Sequence, residues 1–208
     1  MRLVGLTGGI GSGKSSVSSR LADRGAEIVD ADAITRTLQQ PGQPVFAAMV
    51  ERWGPGIVAA DGTLDRGAVA AIVFADDDER AAIGAIVHPA VRAEMRARMD
   101  AAADTDRVVV LDIPLLAEGG GRRHTSGVIV VDCRVEVAID RLVAHRAFDR
   151  ADAQARVAAQ ASREERLALA DFVVDNGDGL DQLEREVARC WDWLQGLAPT
   201  PWPPPAEG

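Results

Sequence analysis

The sequence is short of several residue types that would direct its interpretation elsewhere. It has 208 residues with no tyrosine, a single lysine and two cysteines, Cys133 and Cys190. The cysteines form no C-x-x-C pair and no cluster with histidine, which argues against a structural zinc site and a disulfide framework. No apolar run reaches the roughly 18 residues that span a bilayer, and no signal-peptide pattern opens the chain. We therefore expect a cytoplasmic protein with no membrane partner, whose cysteines pack as small apolar side chains.

The chain is also poor in basic charge, with a formal net charge of −9. Proteins that bind nucleic acid usually carry a basic excess, so the balance predicts no nucleic-acid partner. A hydrophobic content of 47% is typical of globular proteins, and the length suits one domain with insertions.

The single lysine, Lys14, lies in a motif that binds phosphate. Residues 8–15 read Gly-Gly-Ile-Gly-Ser-Gly-Lys-Ser and fit the pattern G-x-x-x-x-G-K-[ST], while the other 22 of the 23 Lys and Arg residues are arginine. An ammonium group is a compact charge on a flexible stem, and it reaches the β- and γ-phosphates from within a tight loop. The motif predicts ATP or a related nucleotide as ligand.

The chain around this motif predicts how the phosphate loop is built. A short apolar strand at residues 2–7 precedes it, and a helix at residues 15–24 follows it. Successive N–H groups and the helix N-terminus bind anions, and the Ser15 hydroxyl is expected to bind Mg²⁺. The residues predicted to bind the nucleotide here are Gly8, Gly9, Gly11, Ser12, Gly13, Lys14, Ser15 and Ser16.

Further apolar runs predict an α/β fold with a parallel sheet covered by helices. Strands are predicted at residues 26–29, 108–112, 127–132 and 172–174. Helices are predicted at residues 134–146, 149–160 and 181–194. Residues 33–106 show helical patterns and no strand. Five of the ten prolines lie in the last ten residues, so residues 199–208 are expected to be disordered.

An acidic pair follows the second predicted strand. Asp30 and Asp32 stand at its carboxyl end, where open parallel sheets bind ligands, and on an extended chain they point the same way. A kinase needs an acid that orients the acceptor hydroxyl and takes its proton, which fits Asp32, with Asp30 in support. The alternative is that Asp32 is the N-cap of a helix beginning near residue 33.

Asp112 closes the apolar strand 108–112 and is a second candidate for an acidic residue of the active site. An acid at this place holds Mg²⁺ through water or orients Lys14, and the alternative is that it caps the turn at Pro114. A Ras-type GTPase would need a second lysine for its N-K-x-D motif, and the chain has no LSGGQ-type signature of transporter ATPases. A small-molecule kinase is therefore the leading class.

Motifs along about residues 1–195 resemble the dephospho-CoA kinase family. The phosphate loop is followed by Val29-Asp30-Ala31-Asp32, with Arg36 four residues on. Further motifs, in chain order, are Pro41-Gly42, Asp61-Gly62-Thr63-Leu64-Asp65-Arg66, His88-Pro89, Asp112-Ile113-Pro114-Leu115-Leu116, Ala159-Gln160, Ala170-Asp171 and Asp175-Asn176. The loop at residues 118–127, rich in glycine, departs from the family pattern.

The resemblance implies a P-loop NTPase three-layer fold in three parts. They are a nucleotide core at residues 1–32, 107–135 and 170–198, a helical CoA-binding insertion at about residues 33–106, and a small helical lid at about residues 141–166. It also implies transfer of the γ-phosphoryl group of ATP to the ribose 3′-hydroxyl of dephospho-CoA, the last step of coenzyme A biosynthesis.

The resemblance assigns roles to individual residues. Asp32 would be the base, Lys14 the phosphate clamp, and Arg141 the lid arginine that stabilises charge on the transferring group. Asn176 resembles a residue near the adenine. Six arginines from Arg141 to Arg166 agree with a lid that brings guanidinium groups to phosphates, although a solvated helix face is the better interpretation for most of them.

Two other functions stay open on the sequence. A kinase resembling shikimate kinase also has Asp-x-Asp after its second strand and three glycines near its acceptor, as at residues 119–121, but the long helical insertion disfavours it. A non-catalytic nucleotide-sensing module would bind ATP without an acceptor. The joint presence of Lys14, Ser15 and Asp32 argues against such a module.

Overall fold

The computed structural model describes residues 1–112 and 125–204. The strands are β1 (Arg2–Gly8), β2 (Glu27–Asp30), β3 (Val108–Asp112), β4 (Gly127–Asp132) and β5 (Phe172–Asp175). The helices are α1 (Lys14–Asp23), α2 (Ala31–Leu38), α3 (Pro44–Trp53), α4 (Arg66–Ala75), α5 (Asp77–Ala102), α6 (Val135–Arg146), α7 (Arg150–Ala158), α8 (Arg163–Leu167) and α9 (Leu180–Gly196), and a short 3-10 helix lies at Pro55–Ile57.

The strands form one five-stranded sheet in the order β2-β3-β1-β4-β5. The central strand β1 pairs in parallel with β3 and β4, and β4 pairs in parallel with β5. The register sets Leu6 of β1 opposite both Asp112 and Ile129, so the carboxyl ends of the three middle strands lie at one edge. The predicted parallel α/β sheet is confirmed, and each predicted strand lies within one or two residues of the observed one.

The chain divides into two compact units. The core unit comprises Met1–Val29 and Asp100–Gly208, and the helical unit comprises Asp30–Met99. The helical unit falls where the helical insertion is predicted, and residues 33–106, all of which are described, contain no strand. The assignment of this unit to CoA binding stays a prediction.

The hydrophobic core of the core unit lies mainly between one face of the sheet and helices α1 and α9. Alternate residues of a strand face opposite sides of a sheet, so β1 and β4 each contribute every second side chain to this core. Its principal buried residues are Val4, Leu6, Val17, Leu21, Ile129, Val131, Leu183, Val187, Cys190 and Leu194. On the other face, Val128 and Val130 pack against Leu167 of α8. Both cysteines are buried and free, as predicted.

In the helical unit, Glu79 at the start of α5 joins that helix to the end of α3. Its carboxylate accepts from Arg52 at 2.9 and 3.0 Å and from the indole N–H of Trp53 at 2.6 Å. Buried apolar side chains from five elements fill this unit. They include Ile34, Val45, Met49, Ile57 and Val69. None of the helices in the described part of the chain has the length and apolar character needed to span a bilayer.

The prediction of disorder is wrong for residues 199–204. The backbone N–H of Thr200 donates to the carbonyl of Met1 at 2.9 Å, and its hydroxyl accepts the N–H of Leu3 at 2.8 Å. The indole N–H of Trp202 donates to Asp100 at 2.6 Å. Proline lacks an N–H, but the residues between the prolines supply the bonds that fix the segment at the amino end of β1. Residues 205–208 lie outside the described chain.

Candidate active site

The phosphate loop lies between the carboxyl end of β1 and the first turn of α1. Gly11 and Gly13 have φ values of 81° and 87°, a left-handed conformation that glycine adopts without a steric penalty. A Cβ on Gly13 would lie 2.2 Å from Nδ2 of Asn176, so this position also requires a residue without a side chain. The loop curls back on itself through a bond from the N–H of Ser12 to the carbonyl of Gly9 at 3.0 Å. The geometry is that of a backbone nest for anions.

Two residues predicted from distant motifs meet at the Ser12 carbonyl. Asn176 follows β5 and is buried, and its Nδ2 donates to that carbonyl at 2.8 Å. Arg141 of α6 donates to the same oxygen through Nη1 at 3.5 Å. The backbone N–H of Asn176 also donates to the carbonyl of Asp132 at the end of β4, at 2.8 Å. Asn176 thus positions the loop backbone, while its predicted place near the adenine stays a prediction.

Lys14 forms an ion pair with Asp112. The pairing of β1 with β3 brings Asp112 to the same sheet edge as the loop, and its side chain is only 5% exposed. A carboxylate this buried is stabilised by a nearby cation, and it holds the lysine stem over the loop. Orientation of Lys14, one of the two roles predicted for Asp112, is therefore supported by a direct contact. The alternative role, in which Asp112 caps the turn at Pro114, concerns residues outside the described chain.

The two predicted Mg²⁺ ligands, Ser15 and Asp112, are both hard oxygen donors. Ser15 and Ser16 are exposed in the first turn of α1, and Asp112 ends β3 at the same edge of the sheet. Mg²⁺ in nucleotide sites generally takes one or two protein oxygens and completes its shell with phosphates and water, so a hydroxyl and a carboxylate suit it. Among residues 1–112 and 125–204, no group of three or more His, Cys, Asp or Glu side chains is arranged to hold a metal ion.

The acidic pair differs from its predicted geometry. Strand β2 ends at Asp30 and α2 begins at Ala31, so Asp32 lies in a helical turn rather than on an extended chain. The carboxylate of Asp30 accepts the N–H groups of Asp32 at 2.8 Å and Ala33 at 3.0 Å, which makes Asp30 the N-cap and rules out the capping alternative for Asp32. Asp32 is exposed in the helical unit, and its carboxylate has no partner among the described residues. Asp30 thus supports the helix start and leaves Asp32 available as a base.

The sequence interpretation missed the contacts that Gln160 and the α8 segment make with the site. Oε1 of Gln160 accepts the N–H of Ile10 in the loop at 2.8 Å. Arg163 donates to the Asp132 carboxylate through Nε and Nη2 at 2.6–3.0 Å, and this carboxylate raises the pKa of Arg163. A signal was present, because Ser162 and Glu165 form the S-x-x-E capping box that starts a helix.

Part of the predicted acceptor side lies outside the described residues. Residues 113–124 include the Pro-Leu-Leu motif at 114–116 and the three glycines at 119–121.

The chain is similar to known proteins over most of its length. A protein-family model described as dephospho-CoA kinase matches residues 2–182. The dephospho-CoA kinase of Streptomyces avermitilis is 51% identical over 191 residues, covering 92% of this chain and 93% of the relative. That of Symbiobacterium thermophilum is 47% identical over 192 residues, covering 92% and 80%. A crystal structure of a protein from Thermus thermophilus matches with a TM-score of 0.74 and 32% identity over 94% of this chain and 98% of its own.

Proposed function

The chain belongs to the dephospho-CoA kinase family, and we propose from that premise how its residues carry the family's reaction. The chain transfers the γ-phosphoryl group of ATP to the ribose 3′-hydroxyl of dephospho-CoA, which gives coenzyme A and ADP in the final step of coenzyme A biosynthesis. The observation that carries the site assignment is the phosphate loop, with Lys14 and its partner Asp112 at the carboxyl edge of a parallel sheet. The family assignment sets aside the alternative resembling shikimate kinase.

The loop holds the phosphates of ATP through its N–H groups and Lys14. The left-handed glycines turn successive N–H groups inward, and the start of α1 adds partial positive charge. Asn176 and Arg141 fix the Ser12 carbonyl, so the loop keeps its shape before the nucleotide arrives. In our proposal Arg141 also places its charge beside the transferring group. Little covalent work is left to the protein in phosphoryl transfer, so this preorganisation accounts for much of the catalysis.

Ser15 and Asp112 are the residues we propose as ligands of Mg²⁺. The bound ion supplies charge neutralisation at the β- and γ-phosphate oxygens. Asp112, buried at the end of β3 and paired with Lys14, would offer a carboxylate oxygen to that ion. Lys14, the first residue of α1, would reach the β- and γ-phosphates from within the loop.

Asp32 is the proposed general base. The acceptor oxygen forms a bond to the γ-phosphorus, the bond from that phosphorus to the leaving oxygen of ADP breaks, and the hydroxyl proton passes to the Asp32 carboxylate. Asp32 suits the role because no side chain among the described residues occupies its carboxylate. Asp30 suits a supporting role because its own carboxylate is engaged by two N–H groups of α2.

We assign the remaining parts by the same reasoning. The helical unit supplies the binding surface for the CoA arm of the acceptor, and residues 141–166 act as the lid. The reaction takes place in the cytoplasm with small-molecule partners alone.

The experiment that tests this function is ADP release from ATP and Mg²⁺ with different acceptors. Dephospho-CoA is compared with shikimate, gluconate and nucleosides at equal concentration. Turnover confined to dephospho-CoA is expected. Turnover with another acceptor would contradict the assigned substrate, and ATP binding with no acceptor-dependent turnover would favour a nucleotide-sensing module.

A further inference from the structure

Arg166 of α8 is a half-buried arginine whose charge is not matched by an acid in the described part of the chain. No carboxylate pairs with it among the described residues, and its Nη1 donates to the carbonyl of Ala161. Its Nε and Nη2 have no acceptor in the described chain. Its neighbours Arg163 and Arg150 are paired with Asp132 and Asp140. A guanidinium partly removed from water without an acid is costly, which points to an anion that the ligand-free protein does not supply.

The guanidinium of Arg166 lies against the phosphate loop at Gly9. A Cβ built on Gly9 would lie 2.9 Å from Nη2 and 3.0 Å from Cζ of Arg166. Unlike Gly11 and Gly13, Gly9 does not have a left-handed backbone, so its φ gives no reason for a glycine. A side chain at this position would displace the guanidinium from the loop.

Tertiary contacts fix the helix that carries Arg166. The capping box of Ser162 and Glu165 starts α8, and Leu167 packs on the sheet beneath it. Arg163 binds Asp132 at the carboxyl end of β4, and Gln160 binds the N–H of Ile10. The short helix is therefore joined to the loop and to the sheet, and Arg166 is held in place before any ligand binds.

Arg166 and Arg141 approach opposite ends of the loop. Arg141 contacts Ser12 near the start of α1, and Arg166 contacts Gly9 near the end of β1. The N–H groups of such loops cradle the inner phosphates, while the lysine reaches the β- and γ-phosphates. The outermost phosphate is therefore expected at the end of the loop that follows β1. Arg166 lines a small cavity together with Gly9 and Ser12 of the loop.

We propose that Arg166 is a further phosphate-binding residue of the reaction, and that Nε and Nη2 donate to the γ-phosphoryl group of ATP. The inference rests on the proposed function for the identity of the transferred group. Its guanidinium acts by neutralising charge on the group that moves between the two substrates.

The test compares Arg166→Gln and Arg166→Lys with the wild type. The dissociation constants of ATP and ADP are measured with Mg²⁺ and without acceptor, and kcat and KM with dephospho-CoA. Arg166→Gln is expected to weaken ATP binding by about tenfold or more, the loss of a charge-assisted hydrogen bond, and to weaken ADP binding by no more than about twofold. Arg166→Lys keeps the charge but not the fork, and its ATP affinity is expected to lie between the two.

Arg156→Gln is the matched control, since it removes the same charge from an exposed arginine of α7 that contacts the Phe148 ring. Melting temperatures are recorded for every variant. The inference is overturned if Arg166→Gln behaves like Arg156→Gln, or if it weakens ATP and ADP equally. The measurements of ATP and ADP affinity need no acceptor, so they test the role of Arg166 independently of the proposed function. A wild type that shows no acceptor-dependent turnover would contradict the proposed function but would leave this comparison intact.

Discussion

Thr200→Val is expected to destabilise the core unit by about 2 kcal/mol and to leave catalysis unchanged. The Thr200 hydroxyl accepts the buried N–H of Leu3 at 2.8 Å and lies 2.5 Å from the hydroxyl of Ser126. Valine has nearly the same shape but no acceptor, so the Leu3 N–H loses its partner at a cost of about 1–3 kcal/mol. For a chain of this size, about 2 kcal/mol corresponds to a fall in melting temperature of about 4–8 °C.

The assay for Thr200→Val is thermal unfolding followed by circular dichroism, with Thr200→Ser as the control that keeps the hydroxyl. Leu3 and Gly8 are five residues apart on β1, which is roughly 16 Å at the usual rise of a strand, so the KM for ATP is expected to match that of the wild type. A valine variant that melts with the wild type would refute the role of this hydroxyl. A changed KM would refute the separation between the C-terminal segment and the phosphate loop.

Three further predictions follow from local features. Ala147 ends α6 in a left-handed conformation with a φ of 54°, which strains a residue that has a Cβ. Ala147→Gly should therefore raise the melting temperature by about 1–4 °C, and a fall would contradict backbone strain there. Hydrogen bonds from Arg52 and Trp53 lower the pKa of Glu79, so its stabilisation is present above the unfolded pKa and is lost as pH falls through the lower folded pKa. Glu79→Gln should therefore flatten the loss of urea stability below the unfolded pKa of glutamate, about 4.3, and an unchanged loss would contradict this role. Burial raises the pKa of Cys190 to about 12, so a thiol reagent at neutral pH should label it only when the protein unfolds. Rapid labelling of Cys190 in the folded protein would contradict its burial.

The sheet and the phosphate loop are the parts of the fold that the sequence predicts best. Short continuous apolar runs that alternate with helical patterns are interpreted as buried strands. Residues 108–112 and 127–132 are such runs, and they form β3 and β4. The loop motif is predictable because its glycines and its lysine each meet a local geometric need. Asp112, Arg141 and Asn176 come to the loop only through the folded sheet, and the family resemblance was needed to single out Arg141 and Asn176.

Other features depend on contacts that no local pattern records. Proline-rich composition predicts disorder for residues 199–204, but Thr200 finds its partners on Met1 and Leu3, about two hundred residues away in the chain. The extended geometry expected for Asp30 and Asp32 fails because the Asp30 side chain caps a helix that begins at the next residue. Arg166 looks like one of several solvated arginines in the sequence, and only its approach to Gly9 distinguishes it.

The proposed site predicts two distinct roles for the acids that flank Ala31. Asn caps a helix about as well as Asp, so Asp30→Asn should keep the start of α2 and most of the activity. Asp32→Asn keeps the size of the side chain and removes the proton acceptor. The pair of variants therefore separates general-base chemistry from any effect of charge in this segment.

The most direct test is a single-turnover measurement of phosphoryl transfer from ATP to dephospho-CoA by Asp32→Asn, with Asp30→Asn as control and ATP affinity measured on both. Asp32→Asn is expected to bind ATP like the wild type and to transfer the phosphoryl group about 10²–10⁴-fold more slowly, the usual contribution of a general base. Near-normal transfer by Asp32→Asn would contradict Asp32 as the base.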